Sequence, residues 1–211
     1  MVQPRPPLVL VHGLWDTPRL FDRLISHLDG AIPQLLVPHL PHGLGKVPIA
    51  TMAHWLNHEI NAVYGKTTTI DILGFSMGGL ISRCWIEDHG GHARTRRFTC
   101  VGSPQQGTLT AQLVPGRWLP SIADMKVGSP LLRRLDRAHQ QQPERLAQIE
   151  CHSFYCQLDL MVVPAWRGVL PVGSRRALPV WTHPQLILHP IAIDALTETL
   201  LQEDLSQSPV R

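Results

Sequence analysis

The chain has 211 residues, of which 44% are hydrophobic and 17% are charged. This composition is typical of an ordinary globular protein, and it excludes a disordered, fibrous or collagen-like chain. The net charge of +3 at pH 7 is small and the arginines are scattered, so we expect no nucleic acid partner. The length suits one domain, and no feature of the sequence divides residues 1–211 into two.

The N-terminal residues lack the charged segment and the apolar core of roughly 7–15 residues that mark a signal peptide. Every apolar run is also shorter than the roughly 20 residues of a membrane span. We therefore expect a cytoplasmic location with reduced thiols. The four cysteines lack Cys-x-x-Cys spacing and are interpreted as packing residues rather than bridges or metal ligands: Cys84, Cys100, Cys151 and Cys156. The local cluster of Arg94, Arg96 and Arg97 is interpreted as a solvated face, with contact to an anionic membrane surface or substrate headgroup as the alternative.

The predicted elements alternate between strands and helices along the chain. Short apolar runs predict strands at 8–12, 35–37, 67–75, 97–102, 150–157 and 177–181. The run at 177–181 is predicted to be the last strand. Helical spacing of apolar residues predicts a helix that begins after Thr17-Pro18, followed by helices at 49–64, 77–89 and 191–203. Strands separated by helices imply right-handed crossovers and a mostly parallel sheet covered on both faces, so the predicted fold class is α/β.

Residues 103–149 lack this alternation. The segment is rich in Pro, Gly and Gln, although Leu131, Leu132 and Leu135 have the spacing of a short helix. A long excursion within a compact domain is usually functional. We interpret 103–149 as a cap over a cleft or as one of its walls.

The most informative motif is Gly74-Phe75-Ser76-Met77-Gly78, which lies between the strand at 67–75 and the helix at 77–89. A Gly-x-Ser-x-Gly sequence in that setting is a nucleophile elbow, in which a tight turn exposes the serine hydroxyl in a cleft. The glycines let the strand and the helix approach closely. The motif predicts Ser76 as an acyl-accepting nucleophile, with a structural turn as the alternative.

A second turn, His12-Gly13-Leu14-Trp15, follows the first predicted strand. Backbone amides at the carboxyl edge of a parallel sheet face the place where such sheets bind ligands. The amides of Leu14 and of Met77 are therefore predicted to form an oxyanion hole for the group that Ser76 attacks. The alternative is a simple tight turn.

These segments resemble the α/β-hydrolase superfamily and, within it, the small lipase-like esterases with little or no lid. The similarity extends to Gly102-Ser103-Pro104 and to Asp159-Leu160-Met161-Val162-Val163-Pro164, so it covers most of the chain in the expected order. The resemblance implies a three-layer α/β/α hydrolase fold with a mostly parallel central sheet. It also implies the chain order nucleophile, acid, histidine.

The plausible acids after Ser76 are Asp124, Asp136, Glu150, Asp159 and Asp194. Asp159 follows a predicted strand and has the form of the family's acid loop, so it is the predicted acid. His183 and His189 both follow the last predicted strand. His183 is the predicted base because the segment through Pro190 resembles the family's catalytic loop, while His189 is the alternative base or a helix-capping residue.

The resemblance implies hydrolysis of a carboxylic ester, from a small molecule or a lipid, through an acyl-enzyme on Ser76. No metal and no organic cofactor are expected. Predicted substrate contacts are Trp15, Trp118, Val163 and Trp166, and contact with a lipid surface is a further expectation. An acyltransferase or thioesterase would use the same three residues, and a binding protein without activity is the remaining alternative. The histidine pairs His39 with His42 and His89 with His92 are interpreted as solvated rather than as metal ligands.

Overall fold

A computed structural model describes residues 5–202 of the chain. Its centre is a six-stranded sheet in the order β2-β1-β3-β4-β5-β6, and every neighbouring pair is parallel. The strands are β1 (Leu8–Val11), β2 (Leu35–Leu36), β3 (Ile70–Phe75), β4 (Thr95–Val101), β5 (Glu150–Tyr155) and β6 (Ser174–Ala177). The parallel sheet confirms the predicted α/β class.

Helices cover both faces of this sheet. They are α1 (Asp22–Leu28), α2 (Ile49–Tyr64), α3 (Met77–Asp88), α4 (Leu109–Gln112), α5 (Pro120–Asp124), α6 (Pro130–Gln141), α7 (Glu144–Ala147), α8 (Gln185–Leu188) and α9 (Pro190–Leu201). Between residues 5 and 202, no helix combines the length and the apolar character needed to cross a bilayer.

Side-chain alternation along the strands explains why both faces are apolar. In β1, Val9 and Val11 pack with α2 and α3, whereas Leu8 and Leu10 pack with α1 and α9. Successive residues of a strand point to opposite faces. A strand that is apolar at every position is therefore buried on both sides, as the sequence predicted for a parallel sheet.

The last strand does not lie where the sequence predicted it. It is Ser174–Ala177 instead of 177–181, and its four residues are all exposed. Pairing with β5 ends where the Leu178 amide donates to the Tyr155 carbonyl, and the chain then turns so that the Val180 amide donates to the Leu178 carbonyl. An exposed edge strand carries no apolar pattern. Leu178 and Val180 follow the strand and contribute apolar side chains to the core. Their apolar pattern led the sequence prediction to place the strand too far along the chain.

The segment at 103–149 contains four helices, α4 to α7, and is not the irregular excursion that the sequence indicated. The predicted helix around Leu132 is confirmed as α6, where the Ser129 hydroxyl accepts the Leu132 amide as an N-cap. The segment packs against the start of α2, because Asp124 Oδ2 accepts the Ile49 amide at 2.9 Å and Ser121 Oγ donates to the Val47 carbonyl.

The arginines at the start of β4 are not solvated, contrary to the interpretation from sequence. Arg97 is fully buried, and its Nε and Nη2 donate to Glu150 Oε2 at 3.0 and 2.7 Å while its Nη1 donates to the Leu200 carbonyl. Arg96 donates from Nε to Asp71 Oδ1 at 2.8 Å. A buried charge needs such partners, because removing one of them leaves an uncompensated charge. These pairs join β3, β4, β5 and α9 at the amino-terminal edge of the sheet.

The four cysteines are buried and unpaired, in agreement with a packing role. Burial raises the pKa of Cys84, Cys100 and Cys151 to about 12 and that of Cys156 to about 11. Thiols with such pKa values are almost entirely protonated at neutral pH and are therefore poor nucleophiles.

Candidate active site

The residues that the sequence singled out lie in loops that follow the ends of four strands. The His12 turn follows β1, Ser76 follows β3, Asp159 follows β5 and His183 follows β6. Because all of these strands run in parallel, their carboxyl ends meet at one edge of the sheet. Residues separated by up to 171 positions in the sequence thus share one region of the molecule.

Ser76 occupies a strained turn between β3 and α3. Its φ of 54° and ψ of −126° are unusual for a residue with a side chain, and α3 begins at the next residue. A methyl group on Gly78 would lie 2.0 Å from the Val11 carbonyl oxygen, and one on Gly74 would lie 2.4 Å from the Gly79 Cα. Both glycines of the motif are therefore required by the close approach of helix and strands.

Asp159 and His183 form a buried hydrogen bond. His183 Nδ1 donates to Asp159 Oδ2 at 2.7 Å, and the two residues are 8% and 3% exposed. The other carboxylate oxygen accepts the amides of Met161 and Val162 at 2.8 and 3.1 Å, so the acid is held in a fixed orientation. An imidazole that donates from Nδ1 has Nε2 free to accept a proton when it is neutral.

The imidazole of His183 lies beside the elbow. Its ring centroid is 4.9 Å from that of Phe75, the residue before Ser76, and a methyl group on Gly102 would lie 3.0 Å from its Cε1. His183 Nε2 is buried and has no hydrogen-bond partner among residues 5–202, so it is not bonded to the Ser76 hydroxyl in this structure. Hydrogen bonds between a nucleophile and its base are often long in unliganded enzymes and shorten when substrate binds.

The alternative acids and the alternative histidine have other contacts. Asp124 accepts a hydrogen bond from the Ile49 amide. Asp136 pairs with Arg83, Glu150 with Arg97 and Asp194 with His27. His189 is the N-cap of α9, where its Nδ1 accepts the Ile191 amide at 3.3 Å. The geometry thus places Asp159 and His183, and none of the alternatives, next to each other and near the elbow.

The predicted oxyanion donors lie next to the nucleophile. A methyl group on Gly13 would lie 2.9 Å from the Ser76 Cβ, so the turn after β1 is packed against the elbow. Within the described part of the chain, the amides of Leu14 and Met77 donate to no protein acceptor. Two unused backbone donors beside a serine hydroxyl are what an oxyanion hole requires.

His12 holds this turn in place, a role that sequence reasoning missed. His12 Nε2 accepts the Leu40 amide at 3.3 Å, so its Nδ1 carries the proton and donates to the Gly13 carbonyl at 3.0 Å. Burial lowers the pKa of His12, and the nearby His39 and His42 lower it further. His39 and His42 lie around the ring of His12, with ring centroids 5.9 and 6.3 Å from it; His39 is exposed, as predicted, and His42 is half-buried. No group of three or more His, Cys, Asp or Glu side chains suited to a metal ion occurs among residues 5–202.

The four predicted substrate contacts lie in three separate segments. Trp15 is in the turn after β1 and Trp118 precedes α5, and their side chains are 57% and 67% exposed. Val163 lies in the acid loop, where its amide donates to Thr108 Oγ1, and Trp166 follows that loop and is 54% exposed. Single exposed apolar side chains are common on protein surfaces, whereas a large contiguous apolar patch marks a binding surface.

Asp16 is a residue near the nucleophile that sequence reasoning did not select. A methyl group on Gly13 would lie 2.8 Å from Asp16 Oδ2 and 2.9 Å from the Ser76 Cβ, so the carboxylate and the serine flank the same point. Burial raises the pKa of Asp16, although the charges of His183 and His42 oppose the shift. Its position directly after the predicted oxyanion turn of residues 12–15 is the signal that would have identified it.

Solved structures with the same fold include several lipases. The chain is similar to Bacillus licheniformis lipase BlEst2 in its mature form, with 16% identity and a TM-score of 0.72 over 95% of this chain and 94% of that one. It is also similar to the propeptide form of that lipase, with 15% identity, a TM-score of 0.73 and 95% of this chain covered. Aspergillus fumigatus lipase B matches with 17% identity and a TM-score of 0.74 over 97% of this chain. The chain spans about half of the latter two, 51% and 55% of their lengths.

No curated protein sequence is significantly similar to this chain. The sequence model of the alpha/beta hydrolase fold matches residues 6–134, which include β1 to β4, the elbow at Ser76 and the turn after His12. This match covers more than half of the chain, and the parallel sheet and the elbow between β3 and α3 agree with it. The chain therefore belongs to the alpha/beta hydrolase fold family.

Proposed function

We propose that this protein is a serine hydrolase that cleaves carboxylic esters, with Ser76 as nucleophile, His183 as base and Asp159 as its orienting acid. The observation that carries the proposal is the buried 2.7 Å hydrogen bond from His183 to Asp159 beside a serine in a strained elbow. A base within reach of a serine, itself oriented by a third group, is the arrangement that activates a hydroxyl for acyl transfer.

In the proposed mechanism, His183 Nε2 takes the Ser76 proton while the serine oxygen attacks the ester carbonyl carbon. The tetrahedral oxyanion accepts hydrogen bonds from the Leu14 and Met77 amides. Its collapse breaks the bond to the alcohol oxygen, and the imidazolium returns the proton to that leaving alcohol. Water, activated by the same histidine, then attacks the acyl-enzyme and releases the carboxylic acid.

The proposed substrates are esters with an apolar acyl group, from small molecules or lipids. Exposed Trp15, Trp118 and Trp166 support this choice, as do the fold relatives described as lipases. We also propose that the segment at 103–149 forms a wall of the acyl site, since a methyl group on Gly45 would lie 3.4 Å from the side chain of Leu119, which precedes α5, and 3.7 Å from that of Leu14. We also propose that these tryptophans contact a lipid surface. The cytoplasmic location stays a prediction.

The proposal is tested by measuring hydrolysis of 4-nitrophenyl esters of increasing acyl length by the wild-type chain and by Ser76→Ala. We expect turnover by the wild type, with a clear optimum in chain length, and a rate for Ser76→Ala at least about 10⁴-fold lower. If acyl-CoA were hydrolysed and the esters were not, the proposed activity would be that of a thioesterase instead of an ester hydrolase. Equal rates for the wild type and Ser76→Ala would contradict the assignment of the nucleophile.

A further inference from the structure

We propose that Asp16 selects substrates by charge, because it places a carboxylate beside the reacting serine and disfavours esters with a negative charge near the scissile carbonyl. Neutral and cationic esters would be accepted. The inference rests on the proposed function, since it requires Ser76 to be the group that meets the substrate.

The first support is the position of the carboxylate. Gly13 separates Asp16 from Ser76, and a single methyl group in its place would contact the side chains of both residues, at 2.8 and 2.9 Å. Asp16 is also partly exposed, and it directly follows the turn whose Leu14 amide is the proposed oxyanion donor. Its charge is therefore presented to the part of the cleft that a substrate carbonyl must enter.

The second support is the set of groups around Asp16. Burial raises the pKa of Asp16, whereas His183, His42 and the Gly13 backbone oppose that shift, and none of these three is a permanent cation. No ion pair with lysine or arginine is formed by Asp16 within the described residues. While both histidines are neutral, the carboxylate contributes an uncompensated negative charge to the nucleophile's surroundings.

The expected size of the effect follows from Coulomb's law. Two unit charges several ångströms apart at a partly exposed site change a rate ratio by about tenfold, and salt weakens the interaction. Asp16 also repels the oxyanion that forms from every substrate. That contribution is common to all esters, so it cancels when the kcat/KM values of two esters are compared for the same variant.

The test uses three 4-nitrophenyl esters with acyl chains of similar length, namely valerate, hemisuccinate and 4-(trimethylammonio)butyrate. They are neutral, anionic and cationic, and kcat/KM is measured for each at low ionic strength. The variants are Asp16→Asn, which keeps the shape, Asp16→Glu, which keeps the charge, and Asp22→Asn, which removes an exposed carboxylate on α1.

We expect the wild type to prefer valerate over hemisuccinate, and Asp16→Asn to reduce this preference about tenfold. Asp16→Glu should retain the preference, Asp22→Asn should leave it unchanged, and added salt should reduce it in the wild type. The inference is overturned if Asp16→Asn keeps the wild-type ratio within twofold, or if Asp22→Asn changes it equally. Absence of wild-type turnover of valerate would instead refute the proposed function, and this inference with it.

Discussion

The central sheet has a buried ion pair at its amino-terminal edge and, among residues 5–202, unpartnered groups beside the candidate nucleophile at its carboxyl-terminal edge. At the amino-terminal edge, the guanidinium of the buried Arg97 donates to Glu150, to the Leu200 carbonyl in α9 and to the carbonyl of Gln202, the C-cap of that helix. At the carboxyl-terminal edge, His183 Nε2 and the amides of Leu14 and Met77 have no partner within the described residues. Unpartnered buried polar groups are costly and are retained chiefly where a ligand will use them. The first edge stabilises the fold, and the second is available for chemistry.

If this division is correct, substitutions at the carboxyl-terminal edge should remove activity and leave stability nearly unchanged. The largest effect is expected for His183→Ala, which removes the proposed base and should lower kcat for ester hydrolysis at least about 10⁴-fold. His189→Ala is the matched control, because it removes only an N-cap and should cost roughly 0.5–1 kcal/mol in the free energy of unfolding. If His189→Ala were inactive and His183→Ala active, the base would be misassigned.

A somewhat smaller loss of activity is expected for Asp159→Asn. The amide keeps the volume of the carboxylate but no longer stabilises the imidazolium, and it does not enforce protonation at His183 Nδ1. We expect kcat to fall about 10³-fold to 10⁴-fold, measured with the preferred ester at neutral pH. Asp194→Asn, which alters an exposed pair with His27, should keep wild-type activity. Activity of Asp159→Asn within tenfold of the wild type would exclude Asp159 as the orienting acid.

The amino-terminal edge should respond in the reverse manner. Glu150→Gln should leave kcat unchanged and lower the free energy of unfolding by about 2 kcal/mol at pH 7, since the buried Arg97 loses a charged partner that is itself partly exposed. Glu198→Gln, which breaks the exposed pair with Arg176, is the control and should cost less than about 0.5 kcal/mol. Equal destabilisation by the two substitutions in urea unfolding would remove the distinction between buried and surface pairs.

The same pair predicts a pH dependence. Burial alone would raise the pKa of Glu150, but hydrogen bonds from Arg97 and His152 outweigh it and hold the pKa below its usual range. A carboxylate with a lowered pKa in the folded state stabilises the protein above its unfolded pKa, and this contribution is lost as the pH falls through the folded value. The stability difference between the wild type and Glu150→Gln should therefore be constant near neutral pH and decrease below about pH 4. A difference that persists at pH 2 would contradict the assignment.

Local patterns made the elbow predictable from sequence. The Gly-x-Ser-x-Gly motif, the apolar strand before it and the helix after it are contiguous, and the structure explains each glycine by a close backbone approach. Asp159 and His183 were predicted from their resemblance to the family's motifs and not from their spacing. Their hydrogen bond joins two separate loops that are 24 residues apart in the sequence.

The features that escaped prediction depend on contacts between distant parts of the chain. Arg97 is 53 residues from Glu150 and 103 from Leu200, so a run of arginines resembled a solvated face. The exposed strand β6 has no apolar pattern, and the helices α4, α5 and α7 have only four or five residues each, too few for an apolar repeat to show. Asp16 was overlooked because its significance comes from the fold of the Gly13 turn against Ser76.

The central claim is that Ser76 is a nucleophile activated by His183. Its most direct measurement is the mass of the protein and of its peptides after treatment with an alkyl fluorophosphonate, which labels activated serines independently of the ester substrate. We predict one adduct on the peptide that contains Ser76, no adduct with Ser76→Ala, and labelling of His183→Ala slowed at least about 10³-fold. An unmodified wild-type protein, or an adduct on a different residue, would contradict the account.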